Sequence, residues 1–276
     1  SAPALGGEPS LAVVELRREG DPADIAFGAP SASQGGALLA PYPDVVLLFQ
    51  SRASRGADPL LIAAQDGAAR LQSDLELELL IDVYGGGSGR TATGLLPPGL
   101  APARPLDPPP VVRRSEPLTL AALPASAPRV PLHLWSHDDL SVGIADRLAV
   151  LLRAGGYGAL IERDMTKPLV DGVALLRWRA PTTDAALALL ALIGRWPELK
   201  ELIGSQALKD ARLLDAEADA RIAAALELER RLLATRAVIP LVSADRWLTL
   251  DPMLRGVRLR VDGVPLLHDA WWGGER

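Results

Sequence analysis

An unbroken apolar run, Val45 to Phe49, lies between Asp44 and the polar residue Gln50. A strand with apolar side chains on both faces needs a packing layer on each side, and this pattern is typical of strands in sheets that helices cover. The run therefore predicts a strand that is buried on both faces.

Strand and helix patterns alternate along the rest of the chain. Short apolar segments predict further strands at 11–16, 23–27, 130–135, 159–161, 173–176, 238–242 and 257–261. Apolar residues at helical spacing predict helices at 58–84, bent or broken near Gly67, at 141–153 and at 215–235. Asp184 is placed to cap a further helix from Ala185. This order favours an α/β fold with a mixed sheet flanked by helices.

Each of the three longer predicted helices has an apolar stripe that we expect to face the core. The stripes are Leu71, Leu75 and Leu79; Ile144, Leu148 and Leu152; and Ile222, Leu226 and Leu233. Carboxylates on the same helices are expected on solvated faces, namely Glu76, Glu78, Glu227 and Glu229. Residues 96–131 are dense in proline, which excludes regular helix and predicts a long ordered loop or internal linker.

Composition excludes several classes of function. Lys and Arg number 29 against 34 Asp and Glu, so no basic excess is available to bind nucleic acid. The absence of cysteine excludes disulfides, thiolate metal sites and a cysteine nucleophile. The longest apolar run, Ala185 to Gly194, is about half of the roughly 20 residues that span a bilayer, so no transmembrane helix is expected. The start at Ser1, without a methionine or an apolar signal core, indicates a processed or trimmed product.

No motif for catalysis, a metal or a cofactor stands out. The glycine-rich segment 85–89 lacks the Gly-Lys-Ser/Thr ending of a phosphate-binding loop and is better explained as a helix stop. His133, His137, Asp138 and Asp139 contain metal-ligating types, but a polar turn before the helix at 141–153 is the better interpretation.

Two tryptophans carry the best indication of a ligand site. Trp135 and Trp178 both lie at predicted strand ends, which is where α/β folds bind ligands. Core packing is the alternative, and for either residue alone the pattern favours it.

Several stretches, taken in order, resemble the second half of the family 5 extracellular solute-binding proteins, which serve oligopeptide, dipeptide and nickel ABC importers. The matching stretches are 20–28, 45–50, the glycine turn at 85–86, the Pro-Pro-Gly loop at 91–99, 130–155, 171–178, 227–241 and 256–257. The resemblance covers roughly residues 12–272. It implies a periplasmic-binding-protein type II-like lobe over residues 1–276, with an internal linker at 96–131 and a return towards the hinge at 236–276.

The resemblance also implies a function without chemistry or cofactor. It indicates periplasmic binding of a peptide or another small solute by closure of two lobes, with an ABC permease as partner. The family's N-terminal lobe is absent from this sequence. A degenerate lobe kept as a structural or protein-interaction domain remains the alternative, and a hydrolase has the least support.

The implied ligand contacts are packing on Trp135 and Trp178 and polar contacts from His137 and Arg179. Peptide-binding members of the family place an aspartate shortly after the tryptophan, and Pro181 occupies the matching position here. Arg179 therefore favours an anionic or neutral ligand over a peptide ammonium, because a fixed guanidinium repels a cation.

Overall fold

The structure is a computed structural model that describes residues 25–27, 37–40, 42–51, 68–84, 89–100, 123–136, 138–163, 171–204, 217–251, 253–260 and 263–273. The chain forms two compact units, one from Ser1–Pro41 with Arg246–Arg276 and one from Tyr42–Asp245. The predicted strand at 11–16 and most of the proline-rich segment lie outside the described residues. The expected division of the chain into one lobe, a linker and a return segment stays a prediction beside these two units.

The described strands, in chain order, are β1 (Ile25–Phe27), β2 (Ala37–Leu39), β3 (Asp44–Gln50), β4 (Gly89–Thr91), β5 (Arg129–Leu134), β6 (Gly158–Glu162), β7 (Val173–Trp178), β8 (Val238–Ala244), β9 (Trp247–Leu250), β10 (Leu254–Arg255), β11 (Arg258–Leu259), β12 (Pro265–Leu266) and β13 (Trp271–Trp272). The described helices are α1 (Ala68–Asp74), α2 (Leu77–Tyr84), α3 (Asp139–Ala154), α4 (Ala185–Arg195), α5 (Pro197–Ile203) and α6 (Ala218–Ala234). Among the residues described, no helix is long and apolar enough to cross a membrane.

The larger unit is built on a mixed sheet of six strands in the order β4-β8-β3-β7-β5-β6. β3 runs antiparallel to both of its neighbours, β7 and β8, whereas β5 runs parallel to β6 and β7. All seven residues of β3 are buried. The mixed α/β fold and the strand buried on both faces are therefore confirmed.

Two apolar cores lie on the two faces of this sheet. Val45, Leu47 and Phe49 of β3 face a core that includes α4, α5 and α6. Val46 and Leu48 face the other core, which includes α1, α2 and α3. Because successive strand residues point to opposite faces, one unbroken apolar run contributes to both cores.

The predicted helix at 58–84 contains a break that the sequence analysis placed elsewhere. Its described part is two helices, α1 and α2, and Glu76 between them has φ 53°. Leu71 and Leu75 are fully buried, but Leu79 is 57% exposed because α2 restarts with a different face towards the core. The single stripe through these three leucines is therefore wrong beyond Leu75, and Gly67 lies outside the described residues.

Helix α3 confirms its predicted stripe and begins two residues earlier than predicted, after a cap at Asp138. Asp138 accepts a hydrogen bond from the backbone N–H of Ser141 at 3.1 Å, and Ile144, Leu148 and Leu152 are all buried. Asp184 likewise caps α4 by accepting from the N–H groups of Ala186 and Leu187. Such side chains satisfy backbone donors that a helix start leaves without a partner.

Helix α6 buries a different stripe from the predicted one. Its buried apolar residues are Ala225, Leu228 and Leu232, and the predicted Ile222, Leu226 and Leu233 are only half-buried.

Glu229 of α6 is also buried, at 2% exposed, so its predicted place on a solvated face is wrong. Its Oε1 accepts hydrogen bonds from the backbone N–H groups of Leu95 at 2.6 Å and Leu96 at 3.1 Å. The carboxylate satisfies two buried backbone donors of the loop after β4. Glu227, two residues earlier, has a side chain that is 43% exposed, as predicted.

The smaller unit contains a three-stranded antiparallel sheet in the order β1-β9-β2 and two short pairs, β10 with β13 and β11 with β12. Leu248, Leu250 and Leu254 form its small buried core.

Candidate functional site

Three of the predicted contact residues lie at or next to one edge of the six-stranded sheet, namely Trp135, Trp178 and Arg179. β5 and β7 are parallel, and β3 is antiparallel to β7, so β5 and β7 end where β3 begins. Val45 pairs with Trp178, which places Asp44 beside Arg179. We define the carboxyl edge as Asp44, Ser136, Asp138, Arg177 and Arg179.

Asp44 is the buried anion of the carboxyl edge, with a side chain that is 4% exposed. Its Oδ2 accepts from Nε of Arg177 at 2.9 Å, and its Oδ1 accepts from Nε of Arg179 at 3.2 Å. A carboxylate so deeply buried needs a cationic or hydrogen-bonding partner, and here two guanidinium groups share it.

Arg177 is held on a second side by Asp138. Its Nη1 donates to Oδ1 of Asp138 at 3.2 Å, and its backbone N–H donates to Oγ of Ser136 at 2.7 Å. Asp138 is fixed in turn as the cap of α3, where it also accepts from the hydroxyl of Ser141 at 2.7 Å. These hydrogen bonds hold the polar groups of Ser136, Asp138 and Arg177 in fixed positions at the end of the sheet.

Arg179 is the most exposed of the charged groups at the carboxyl edge, with 40% of its side chain accessible to solvent. Only its Nε is engaged by Asp44, and within the described parts of the chain its two terminal Nη groups have no hydrogen-bond partner. Four N–H donors of a guanidinium with a fixed position are therefore available to a ligand.

Trp135 and Trp178 are buried in the core next to this edge, at 8% and 5% exposed. The ring of Trp135 stacks on Trp196 with centroids 5.9 Å apart and planes 10° apart, and Phe49 lies 4.8 Å from Trp196. Their burial agrees with the core-packing alternative, and contact with a ligand stays a prediction. His137 lies outside the described residues.

The other two histidines lie apart from the carboxyl edge. His133 is 5% exposed on β5, and its Nδ1 is 3.5 Å from Oε2 of Glu162 on β6. His268 is exposed beside Asp269 in the smaller unit. Within the described ranges, no group of three or more histidine and carboxylate side chains is arranged to hold a metal ion.

Sequence analysis missed Asp44, Asp138 and Arg177 as site residues. A usable signal was present, because Arg177 is the one charged residue in the otherwise apolar strand β7 and Asp44 directly precedes an apolar run. A charge inside a buried strand needs a partner, and an acid at the start of a neighbouring strand can supply it.

No protein-family model and no curated protein sequence matches this chain. Solved structures do match. A dipeptide-binding protein from Pseudoalteromonas sp. SM9913, in complex with Met-Leu, superimposes with a TM-score of 0.60 and 15% identity over 91% of this chain and 54% of that chain. The substrate-binding domain of an oligopeptide ABC transporter from Bacillus anthracis gives a TM-score of 0.57 and 13% identity over 91% and 55%.

A substrate-binding protein from Microbacterium hydrocarbonoxydans, complexed with 4-hydroxybenzoate hydrazide, gives a TM-score of 0.56 and 14% identity over 91% of this chain and 54% of that chain. This chain therefore spans about half the length of the structures it matches. The fold expected from the resemblance to family 5 solute-binding proteins is confirmed, and identities this low concern the fold alone.

Proposed function

We propose that this chain supplies one lobe of a periplasmic solute-binding protein that delivers a peptide-like or other small solute to an ABC importer. The observation that carries the proposal is the match of 91% of this chain to about half of each of three binding proteins. The partners are a solute, an ABC permease and an N-terminal lobe that is not part of this sequence. The lobe binds and performs no catalysis.

The proposed mechanism is closure of two lobes around the solute, which buries the ligand between them. In this chain the carboxyl edge supplies the binding surface, with Arg179 and His137 as polar contacts. Trp135 and Trp178 pack beneath or against the ligand. A fixed polar edge on a rigid sheet supports this role, because sites built on strands hold their geometry better than sites on loops.

The test of the proposal is native mass spectrometry of the protein isolated from its source cells, with whatever polypeptide it is joined to. We expect a small solute that dissociates on denaturation and raises the melting temperature when added back, as a ligand of the folded state must. Failure of the intact protein to bind any member of a broad panel of peptides and small solutes would refute the proposal. Trp178→Ala is a poor probe, because removing so buried an indole costs about 3–5 kcal/mol of stability.

A second candidate is a degenerate lobe that acts as a protein-interaction domain. Three residues of the smaller unit favour it, since Met253, Trp271 and Trp272 are 43%, 57% and 39% exposed, and exposed apolar groups of this size are typical of interaction surfaces. Pro181 at the position of the family's acidic residue is consistent with a lost ligand. If the protein binds no solute but forms a stable complex with another protein, that result would establish this role in place of transport.

A further inference from the structure

We infer that the solute group bound at the carboxyl edge is an oxyanion, a carboxylate or a phosphate, which Arg179 contacts while Asp44 positions its guanidinium. The inference rests on the proposed function, because it names the chemical class of the solute at the same edge. It assigns a positioning role to Asp44, which the resemblance to the family does not single out.

Two carboxylates and two guanidinium groups lie together at the carboxyl edge. Asp44 is one buried carboxylate between two guanidinium groups, so it neutralises the charge of one. Asp138 contacts Arg177 at 3.2 Å, and its oxygens also accept from Ser141. Within the described residues, Arg179 has no second carboxylate partner. Asp44 and Asp138 together balance the two guanidinium groups, so Arg179 is distinguished by its exposure and its unengaged terminal N–H donors and not by an excess of positive charge.

The geometry of the Arg179 guanidinium favours an oxyanion. Asp44 holds Arg179 at Nε, so the side of the guanidinium that carries the terminal Nη groups is left for a ligand. Paired N–H groups in one plane match the two oxygens of a carboxylate or phosphate, and they offer nothing to an ammonium group. Pro181 has no carboxylate, so it cannot restore a contact for a cation.

The experiment is a titration of the ¹⁵N-labelled protein, together with whatever polypeptide it is joined to in its source cells, followed by ¹⁵N–¹H NMR of its arginine side chains. The probes are succinate and inorganic phosphate, with the uncharged succinamide and the cationic 1,4-diaminobutane as matched solutes, all at constant ionic strength. We expect succinate, phosphate or both to shift the Arg179 signals saturably, with affinity at least tenfold above that of succinamide or 1,4-diaminobutane. The two anions separate a carboxylate site from a phosphate site.

Variants separate binding from folding. In these variants the response is followed at the side chain of Arg177, which shares Asp44 with residue 179. Arg179→Gln is expected to lose the saturable response there, whereas Arg179→Lys keeps a weaker preference for anions because it retains the charge without the planar pair of donors. Arg230→Gln is the matched control, since Arg230 is also held by a carboxylate, Glu227, but lies on α6. It should leave the response at Arg179 unchanged.

Two results would overturn the inference in different ways. Saturable binding of 1,4-diaminobutane at the carboxyl edge, as tight as that of succinate, would refute the anionic class and leave solute binding intact. No saturable shift from any of the four probes would refute the anion site and also remove support for a solute site at this edge. Equal, unsaturable shifts at Arg179 and Arg230 would mean general ionic screening and would refute the inference as well.

Discussion

Replacing Glu229 tests whether a buried carboxylate holds the loop after β4 in place. In Glu229→Ala, the backbone N–H groups of Leu95 and Leu96 lose their acceptor while remaining buried. An unsatisfied buried donor costs about 1–3 kcal/mol, so two of them predict a loss of about 2–6 kcal/mol. Glu229→Gln keeps the shape and one acceptor oxygen but loses the charge, and we expect a smaller loss of about 1–2 kcal/mol.

The assay is urea unfolding of the full chain, followed by far-ultraviolet circular dichroism. With a slope of about 3 kcal/mol per molar urea, the alanine variant should lower the midpoint by roughly 0.7–2 M. Glu227→Ala is the control on the same helix, because the side chain of Glu227 is 43% exposed and its hydrogen bonds among the described residues go to Arg230 and Arg231 of α6. Its midpoint should not differ from that of the unchanged protein. Equal midpoints for the Glu229→Ala and Glu227→Ala variants would refute the argument.

Three further predictions follow from the packing and the charges. Leu148→Ala, at a fully buried position of α3, should cost about 2–5 kcal/mol in the same urea assay. Gly172 has φ 70°, and a Cβ added there would meet a backbone carbonyl, so Gly172→Ala should lower the free energy of unfolding by at least about 2 kcal/mol. Gly194 lies on α4 with open space around it, so Gly194→Ala should raise the free energy of unfolding by up to about 1 kcal/mol. The pKa of Glu227 is lowered from 4.5 to about 2, chiefly by the hydrogen bond from Arg230. The ion pair is therefore fully formed above pH 4.5 and is lost as the pH falls through about 2. A ¹³C titration of the carboxyl carbon should show that midpoint, and Arg230→Gln should move it up towards 4.5; an unchanged midpoint would count against the pairing.

Local signals predicted the parts of the fold that depend on neighbouring residues. The run from Val45 to Phe49 needs only its own side chains to indicate a strand with two buried faces. Helix α3 was equally readable, because the residues of its stripe lie within one segment.

The break at Glu76 was missed because neither glycine nor proline marks it, and a residue in the left-handed region is usually glycine, asparagine or aspartate.

The polar contacts were missed for a different reason, which is their separation along the chain. Arg177 and Asp44 are 133 residues apart, and Glu229 is 134 residues from the N–H group of Leu95. Glu229 and Glu227 look alike in the sequence, and only the position of a distant loop decides which one is buried. Pattern analysis reports the local choice between helix and strand, whereas a buried charge is decided by tertiary neighbours.

The pairing of β3 with β8 at the centre of the sheet means that β3 is synthesised long before this partner strand. Asp44, at the start of β3, pairs with Ala244, two hundred residues later. At a rate of about 5–20 residues per second, a ribosome needs roughly 10–40 s to make the chain between them. The seven-residue strand of sequence DVVLLFQ lacks both of its neighbours until Val173–Trp178 has been made, and lacks one of them until Val238–Ala244 follows. Apolar segments of this length are the kind that associate with copies of themselves. The strand that anchors the finished sheet is thus the segment that a nascent chain most needs to keep apart from other chains.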